Sequence, residues 1–355
     1  MRKIVLTGGG TAGHVTPNIA LLPELQKKNF SVSYIGSIAG IEKELIGNLN
    51  IPYYGISSGK LRRYFDLKNV TDIVRVVKGV AEASSVLKKI KPDIIFSKGG
   101  FVTVPVIVAA HFLKIPIIIH ESDITPGLAN RISIPFATHV CASFPETIQH
   151  LPAEKAILTG SPIRASLFEG KENIGRTLCG FSSSKPIILI MGGSLGSVRI
   201  NDCVRTSLPN LLKKFNIIHI CGKNNLDTKI NLDGYLQFEY VAKELPHLFA
   251  CCSLIVSRAG SNSIYEFLAL RKPNLLIPLT KEASRGDQIL NAKSFSEHGF
   301  SAMLYEEAMT GESLCENIFK LYDERKTYIQ KMETSGLSNG VSEIMKLIDK
   351  DYKTT

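Results

Sequence analysis

The chain has 355 residues, of which 44% are hydrophobic and 21% charged. That length exceeds one ordinary core and suits two domains of about 150–200 residues each; the composition excludes collagen-like, coiled-coil and wholly disordered classes. The formal net charge is +10 and uneven: residues 1–164 hold 19 basic and 11 acidic side chains, residues 165–355 hold 23 and 21. A basic first half points to an anionic partner, whether nucleic acid, an anionic membrane or a phosphorylated substrate.

In chain order, short β-branched runs at 3–7, 31–35, 93–96 and 116–120 read as strands buried on both faces. Helical patterns at 18–28, 69–89 and 102–112 lie between them. This alternation predicts a parallel sheet with crossover helices. The pattern restarts at 186–191 and continues as strands at 217–221, 238–240, 254–256 and 274–277. The reading is therefore α/β, with two doubly wound domains linked near residues 162–171. A last helix at 340–350 can pack on either domain. No apolar run reaches the roughly 18–20 residues that cross a bilayer. The nearest, 101–119, is broken by Pro105, His111, Lys114 and Pro116. The start, Arg2-Lys3 then Ile4-Val5-Leu6 into glycines, reads as a strand and turn rather than a signal peptide. Seven cysteines without CxxC spacing read as reduced core residues, which points to the cytoplasm.

Three glycine turns follow predicted strands, and in open α/β sheets ligands bind at those ends. The first, Thr7-Gly8-Gly9-Gly10-Thr11-Ala12-Gly13-His14, contains a formal GxGxxG. A dinucleotide site expects an acidic residue about 20 positions on, at the end of the second strand. Here that strand ends Tyr34-Ile35-Gly36-Ser37, with no carboxylate before Glu42. What remains is a turn that lets a substrate approach the backbone, with His14 in it as a capping or a reacting imidazole. The second turn, Gly192-Gly193-Ser194-Leu195-Gly196-Ser197, lacks the lysine of an ATPase loop, but its N–H groups at a helix start suit phosphate. The third is Ser97-Lys98-Gly99-Gly100-Phe101. After the strand at 254–256, Ser257-Arg258-Ala259-Gly260-Ser261 leads toward an apolar helix at 267–270. Glu266 there either complements the helix dipole or accepts two ribose hydroxyls. Asp287 and Gln288 either face a sugar or are solvated. No metal-ligand spacing appears, so a diphosphate would rest on helix dipole, backbone amides and Arg164.

In combination these residues resemble the MurG family within glycosyltransferase family 28. The resemblance rests on Gly8 through Pro17, Gly99-Gly100-Phe101, His120-Glu121-Ser122-Asp123 with Pro126-Gly127-Leu128-Ala129-Asn130, and Gly160-Ser161-Pro162-Ile163-Arg164. In the second half it rests on Gly192 through Gly196, Ser257-Arg258-Ala259-Gly260, Glu266 and Gln288-Ile289-Leu290-Asn291-Ala292. It implies a GT-B fold, two Rossmann-like domains facing a central cleft: 1–164 for the acceptor and membrane, 165–339 for the donor, with the helix at 340–355 returning to the first. It implies transfer of N-acetylglucosamine (GlcNAc) from UDP-GlcNAc to lipid I, the undecaprenyl-pyrophosphoryl-MurNAc-pentapeptide, with inversion, to make lipid II for peptidoglycan. His14 is then the candidate general base, with Glu121 or Asp123 as sharers of that role. Donor contacts fall on Thr11, Gly13, Arg164, Gly193, Ser194, Val241, Ser261, Glu266, Asp287 and Gln288. Acceptor contacts fall on Gly10, Thr11, Gly99, Gly100 and Asp123. No metal and no cofactor beyond the donor is expected. Ser122-Asp123 and Asp287-Gln288 depart from the amides that many members carry at these positions.

A lipid-linked acceptor requires access to the inner leaflet. Arg62, Arg63, Tyr64, Phe65 and Lys68 mix cations with aromatics, and the helix after them carries Val70, Ile73, Val74, Val77 and Val80, with Arg75 and Lys78 among them, a pattern that also fits an amphipathic helix facing the core. This suits peripheral docking on anionic lipid at the cytoplasmic face of the cell membrane. No nucleic-acid module appears; other wall-synthesis proteins are possible partners. The competing readings are a transferase to diacylglycerol, a UDP-GlcNAc 2-epimerase and a nucleotide-sugar binding protein without catalysis.

Overall fold

The computed structural model describes residues 2–59, 68–181, 183–193, 196–282, 284, 286–337 and 339–352. The chain divides into two units: one holds residues 1–164 and 339–355, the other 165–338.

The first unit is built on seven strands, β1 (Arg2–Thr7), β2 (Phe30–Ser37), β3 (Tyr53–Ile56), β4 (Ile94–Ser97), β5 (Ile117–Glu121), β6 (His139–Ala142) and β7 (Ala156–Leu158). They pair in parallel in the order β3-β2-β1-β4-β5-β6-β7. Successive β1 side chains serve opposite faces, as the two-residue period requires. Ile4 and Leu6 enter one core with the helix Thr16–Lys27, and Val5 enters the other. The first core also takes Val341, Ile344, Met345 and Ile348 from the last helix, Val341–Tyr352, so the chain's end packs on its beginning. Asn339 fixes that return: its side chain accepts the Ile163 N–H at 2.8 Å and donates to the Ile163 carbonyl at 2.9 Å.

The second unit is built on β8 (Ile187–Met191), β9 (Asn216–Ile220), β10 (Tyr235–Phe238), β11 (Leu254–Ser257), β12 (Asn274–Leu276) and β13 (Ala302–Met303). Their order is β10-β9-β8-β11-β12-β13, again all parallel. Its main core joins β8, β9 and β11 to the helices Val198–Leu211 and Gly311–Thr334. Two local expectations change. The strand expected at 238–240 is Tyr235–Phe238, because Tyr235 registers with Ile217 of β9. The helix expected at 267–270 is Ser261–Ala269, so the polar stretch after β11 is only three residues long before helix begins.

Chain direction across each sheet reverses at one point, between β1 and β4 and between β8 and β11. Ligands of open parallel sheets lie outside the strand ends at such a reversal. Registers are level there, Thr7 opposite Ser97 and Met191 opposite Ser257. All the glycine turns singled out in the sequence leave these four strand ends.

Candidate functional site

In the first unit, the turns after β1 and β4 lie against each other. The Gly9 N–H donates to the Gly99 carbonyl at 3.3 Å. Gly100 has φ +92, and a Cβ there would stand 2.2 Å from the Gly9 carbonyl oxygen, so only glycine allows the approach. A Cβ on Gly99 would meet Asn130 at 3.0 Å, and Asn130 in turn donates to Glu121 Oε2 at 2.8 Å. The Gly9-Gly10 and Gly99-Gly100 turns, Asn130 and the buried Glu121 thus make one connected cluster at the ends of β1, β4 and β5.

His14 ends the short 3-10 turn Ala12–His14, capped by Thr11. Its Nδ1 stands 3.0 Å from the Gly9 carbonyl and 3.2 Å from Thr11 Oγ1. A carbonyl only accepts, so Nδ1 carries the proton and, in the neutral ring, Nε2 carries the lone pair. Asn18 holds the backbone beneath: its Nδ2 donates to the carbonyls of Thr7 and His14 and to Tyr34 Oη at 3.1–3.3 Å. Tyr34 Oη donates to the Gly8 carbonyl at 2.8 Å.

Glu42 is fully buried under this loop. It accepts the Gly10 N–H at 3.1 Å, the Ser37 N–H at 2.9 Å and the Ser37 hydroxyl at 2.5 Å. Burial works against the charge, but these hydrogen bonds outweigh it and hold the carboxyl below its usual range. The Gly10 N–H is therefore already committed to an anion of the chain's own.

Glu121 ends β5 and is also buried. Its Oε1 accepts the N–H groups of Ser122 and Asp123 at 2.8 and 3.0 Å, and Oε2 those of Gly127 and Asn130 at 3.0 and 2.8 Å. Burial, with Asp123 nearby, raises its carboxyl above the ordinary range against those bonds. Both oxygens are spent on shaping the 121–127 loop. Asp123 is half-buried in that loop, and its carbonyl accepts the Thr147 hydroxyl at 3.1 Å.

Lys98 lies fully buried beneath the same loop. Its ammonium donates to His120 Nδ1 at 2.6 Å and to the Ser122 hydroxyl. His120 Nε2 donates to the Gly160 carbonyl at 2.9 Å, which fixes the tautomer that accepts from Lys98. Burial and the Lys98 charge keep this imidazole neutral, its pKa well below the ordinary value. Burial pushes Lys98 down to about 8, against the pull of Glu121 and Asp123. Arg164, half-buried, follows the Ile163 backbone that Asn339 clamps.

In the second unit, Gly193 (φ +88) follows β8, and a Cβ placed on it would meet open space. The helix Val198–Leu211 begins beyond it with Ser197 as N-cap, its hydroxyl accepting the Ile200 N–H at 3.4 Å. Ser194 lies outside the described residues, as do Arg62, Arg63, Tyr64 and Phe65. Lys68 begins the helix Lys68–Ile90. Ser261 begins the helix after β11, and Glu266 sits half-buried in its second turn. Asp287 and Gln288 begin the helix Asp287–Glu297 after a left-handed Gly286. Gln288 Oε1 accepts the Leu279 N–H at 3.1 Å, so the group it has to offer a ligand is its NH2, a donor. Val241 is buried in the loop after edge strand β10, beside an exposed Tyr240.

The sequence reading missed Asn18, Tyr34, Glu42, Lys98, Arg258 and Glu306 as participants. Lys98 had one visible signal, a lysine set between the strand Ile94–Ser97, with its three apolar residues, and two glycines. Among the described residues no group of three His, Cys, Asp or Glu side chains is placed to hold a metal ion.

A model of the glycosyltransferase family 28 N-terminal domain matches residues 4–142, and one of the C-terminal domain matches residues 187–348. The chain is 58% identical over 354 residues to a Clostridium botulinum protein, covering 99% of the chain and 100% of that relative. The relative is named UDP-N-acetylglucosamine--N-acetylmuramyl-(pentapeptide) pyrophosphoryl-undecaprenol N-acetylglucosamine transferase. A protein of the same name from Clostridium tetani is 55% identical over 352 residues, covering 99% and 98%. The crystal structure of Acinetobacter baumannii MurG matches with a TM-score of 0.78 at 26% identity, covering 99% of this chain and all of that one. A UDP-GlcNAc 2-epimerase from Neisseria meningitidis matches at 0.69 with 15% identity over both full chains, a likeness of fold alone. With both domain models matched and identity running the full length, this chain is a glycosyltransferase of family 28.

Proposed function

We infer that the chain moves GlcNAc from UDP-GlcNAc to the C4 hydroxyl of MurNAc in lipid I, producing lipid II for peptidoglycan. The observation that carries this reading is the 58% identity over the whole chain to a transferase named for that donor and acceptor. The first unit takes the acceptor and the second takes the donor.

Inversion in one displacement needs a base on the attacking hydroxyl. His14 Nε2, the unprotonated nitrogen of an imidazole whose Nδ1 is held by Gly9, takes the C4 hydroxyl proton as that oxygen bonds to the anomeric carbon. The bond from that carbon to the UDP oxygen breaks, and the diphosphate leaves with the electron pair. The turn at Gly193, with Ser194, and the helix start behind Ser197 receive its charge. Glu266 holds the ribose, Val241 the uracil through its backbone, and Ser261 and Asp287 line the donor. The Gln288 NH2 donates to a GlcNAc hydroxyl. Gly10, Thr11, Gly99, Gly100 and Asp123 shape the floor on which the MurNAc hydroxyl approaches His14.

The acceptor's lipid brings the enzyme to the anionic inner leaflet. Val74 and Val77 stand 64% and 65% exposed on the helix Lys68–Ile90, next to the cations Arg75 and Lys78. This apolar strip, with the basic 62–68 stretch, rests on the membrane surface. No helix among the described residues is long and apolar enough to cross it.

The test is transfer from radiolabelled UDP-GlcNAc to lipid I, with the acceptor either in anionic vesicles or as a short-chain analogue. Labelled lipid II is expected from both. The Arg62→Glu/Arg63→Glu/Lys68→Glu variant loses transfer to vesicles and keeps transfer to the analogue. Equal transfer to diacylglycerol, or conversion of UDP-GlcNAc with no acceptor present, overturns the reading.

A further inference from the structure

Arg258 follows β11 and is buried, 7% exposed. Its guanidinium makes four hydrogen bonds. Nη2 donates to Ser197 Oγ at 2.7 Å and to Glu306 Oε1 at 2.6 Å, and Nη1 donates to the carbonyls of Ile277 and Pro278 at 3.2 and 3.3 Å. These partners lie on three separate segments. Ser197 caps the helix behind the Gly193 turn. Ile277 and Pro278 lead from β12 toward Gln288. Glu306 opens the 3-10 turn Glu306–Ala308 after β13.

The two ends of this tie stand next to the groups assigned above to the donor. Ser197 belongs to the turn that receives the diphosphate. Leu279, the residue after Pro278, donates its N–H to Gln288 Oε1 and so aims the amide assigned to the sugar. Glu306, 6% exposed, balances the guanidinium charge inside the protein. With both Nη nitrogens engaged by these four partners inside the protein, Arg258 acts through other residues rather than on the substrate. A planar fork reaches these four acceptors from two nitrogens in fixed directions; an ammonium at the same place has three donors on one nitrogen and leaves at least one acceptor unmet.

We propose that Arg258 is a positioning residue that locks the diphosphate turn and the Gln288 loop in one register, and so sets how strongly the enzyme prefers UDP-GlcNAc to UDP alone. The proposal rests on the donor assignment above. A purely structural strut would lower stability without linking the two loops, whereas a register lock makes the value of Gln288 depend on Arg258.

The experiment compares wild type, Arg258→Lys, Gln288→Ala and the double variant, using the KM for UDP-GlcNAc in transfer and the Kd for UDP by calorimetry. Arg258→Lys is expected to raise that KM at least about tenfold while moving the Kd for UDP less than about threefold. Gln288→Ala, costly in the wild type, then costs less than about threefold in the Arg258→Lys background. If Arg258→Lys does not fold, Ser197→Ala cuts the tie at one end, and the Gln288→Ala penalty is expected to shrink there too. Equal Gln288→Ala penalties in folded wild-type and tie-cut backgrounds overturn the proposal. A wild-type chain that neither binds UDP nor turns over UDP-GlcNAc overturns the donor assignment instead, which keeps the two failures distinct.

Discussion

The turns after β1 and β8 occupy the same place in their sheets, yet they are backed by opposite charges. Beneath the first lies a buried carboxylate, Glu42, which takes the Gly10 N–H. Behind the second lies a buried guanidinium, Arg258, bonded to the helix cap Ser197 and balanced by Glu306. A fixed anion under a loop is a poor bed for a diphosphate and a good one for an imidazole on which positive charge develops. A helix start with its N–H groups unspent on a side-chain anion suits a departing phosphate. On the proposed assignment, one fold used twice yields a proton-accepting turn and an anion-accepting turn. Glycine content alone does not distinguish them; the residue packed behind each does.

The strongest way to break this division is at His14. His14→Ala is expected to lower kcat by about a hundredfold to ten-thousandfold with little change in the KM for UDP-GlcNAc. Steady-state transfer kinetics check this, and a change confined to donor KM would place His14 on the nucleotide instead.

A smaller effect is expected at Glu42, as a loss of stability. Its carboxyl is held below the unfolded value, so the unfolded chain takes up the proton first as pH falls. The stabilisation is present above the unfolded carboxyl range and disappears as pH drops through the folded value. Glu42→Gln should lose about 1–3 kcal/mol near neutral pH and show a flatter acid limb in Tm against pH. Parallel acid limbs for the two proteins would mean that Glu42 is not ionised beneath the loop.

The smallest expected effect is at Lys98. The folded chain releases this proton near pH 8, whereas an unperturbed lysine holds it to about 10.4. Raising pH through that window therefore favours the folded state, while it removes the positive charge that faces Glu121 and Asp123. The kcat/KM for lipid I should fall above pH about 8 in the wild type, and Lys98→Met should lack that limb. The same limb in both proteins would assign it elsewhere.

The two-sheet α/β architecture was legible because its central strands are apolar on both faces. Ile4-Val5-Leu6 and Ile187 through Met191 could hardly be anything else. Four other strands were not: β3 carries Gly55, β6 opens on His139, and β7 and β13 have three and two residues. Such segments become strands only when a neighbour offers a register. The glycine turns and His14 could be read because clustered glycines after an apolar strand mark a turn, and an imidazole among them stands out. Glu42, Lys98 and Arg258 could not, since a charged residue in sequence reads as solvated surface. Their burial depends on partners distant in the chain, such as Glu306, 48 positions beyond Arg258.

The central claim is that nucleotide rests on the second turn and not on the first, and UDP affinity measured by calorimetry on three proteins tests it most directly. His14→Ala should bind UDP within about twofold of wild type, whereas Gly193→Asp, which sets a carboxylate where the diphosphate would lie, should lose at least about tenfold. Loss of UDP binding in His14→Ala with retention in Gly193→Asp would contradict the account.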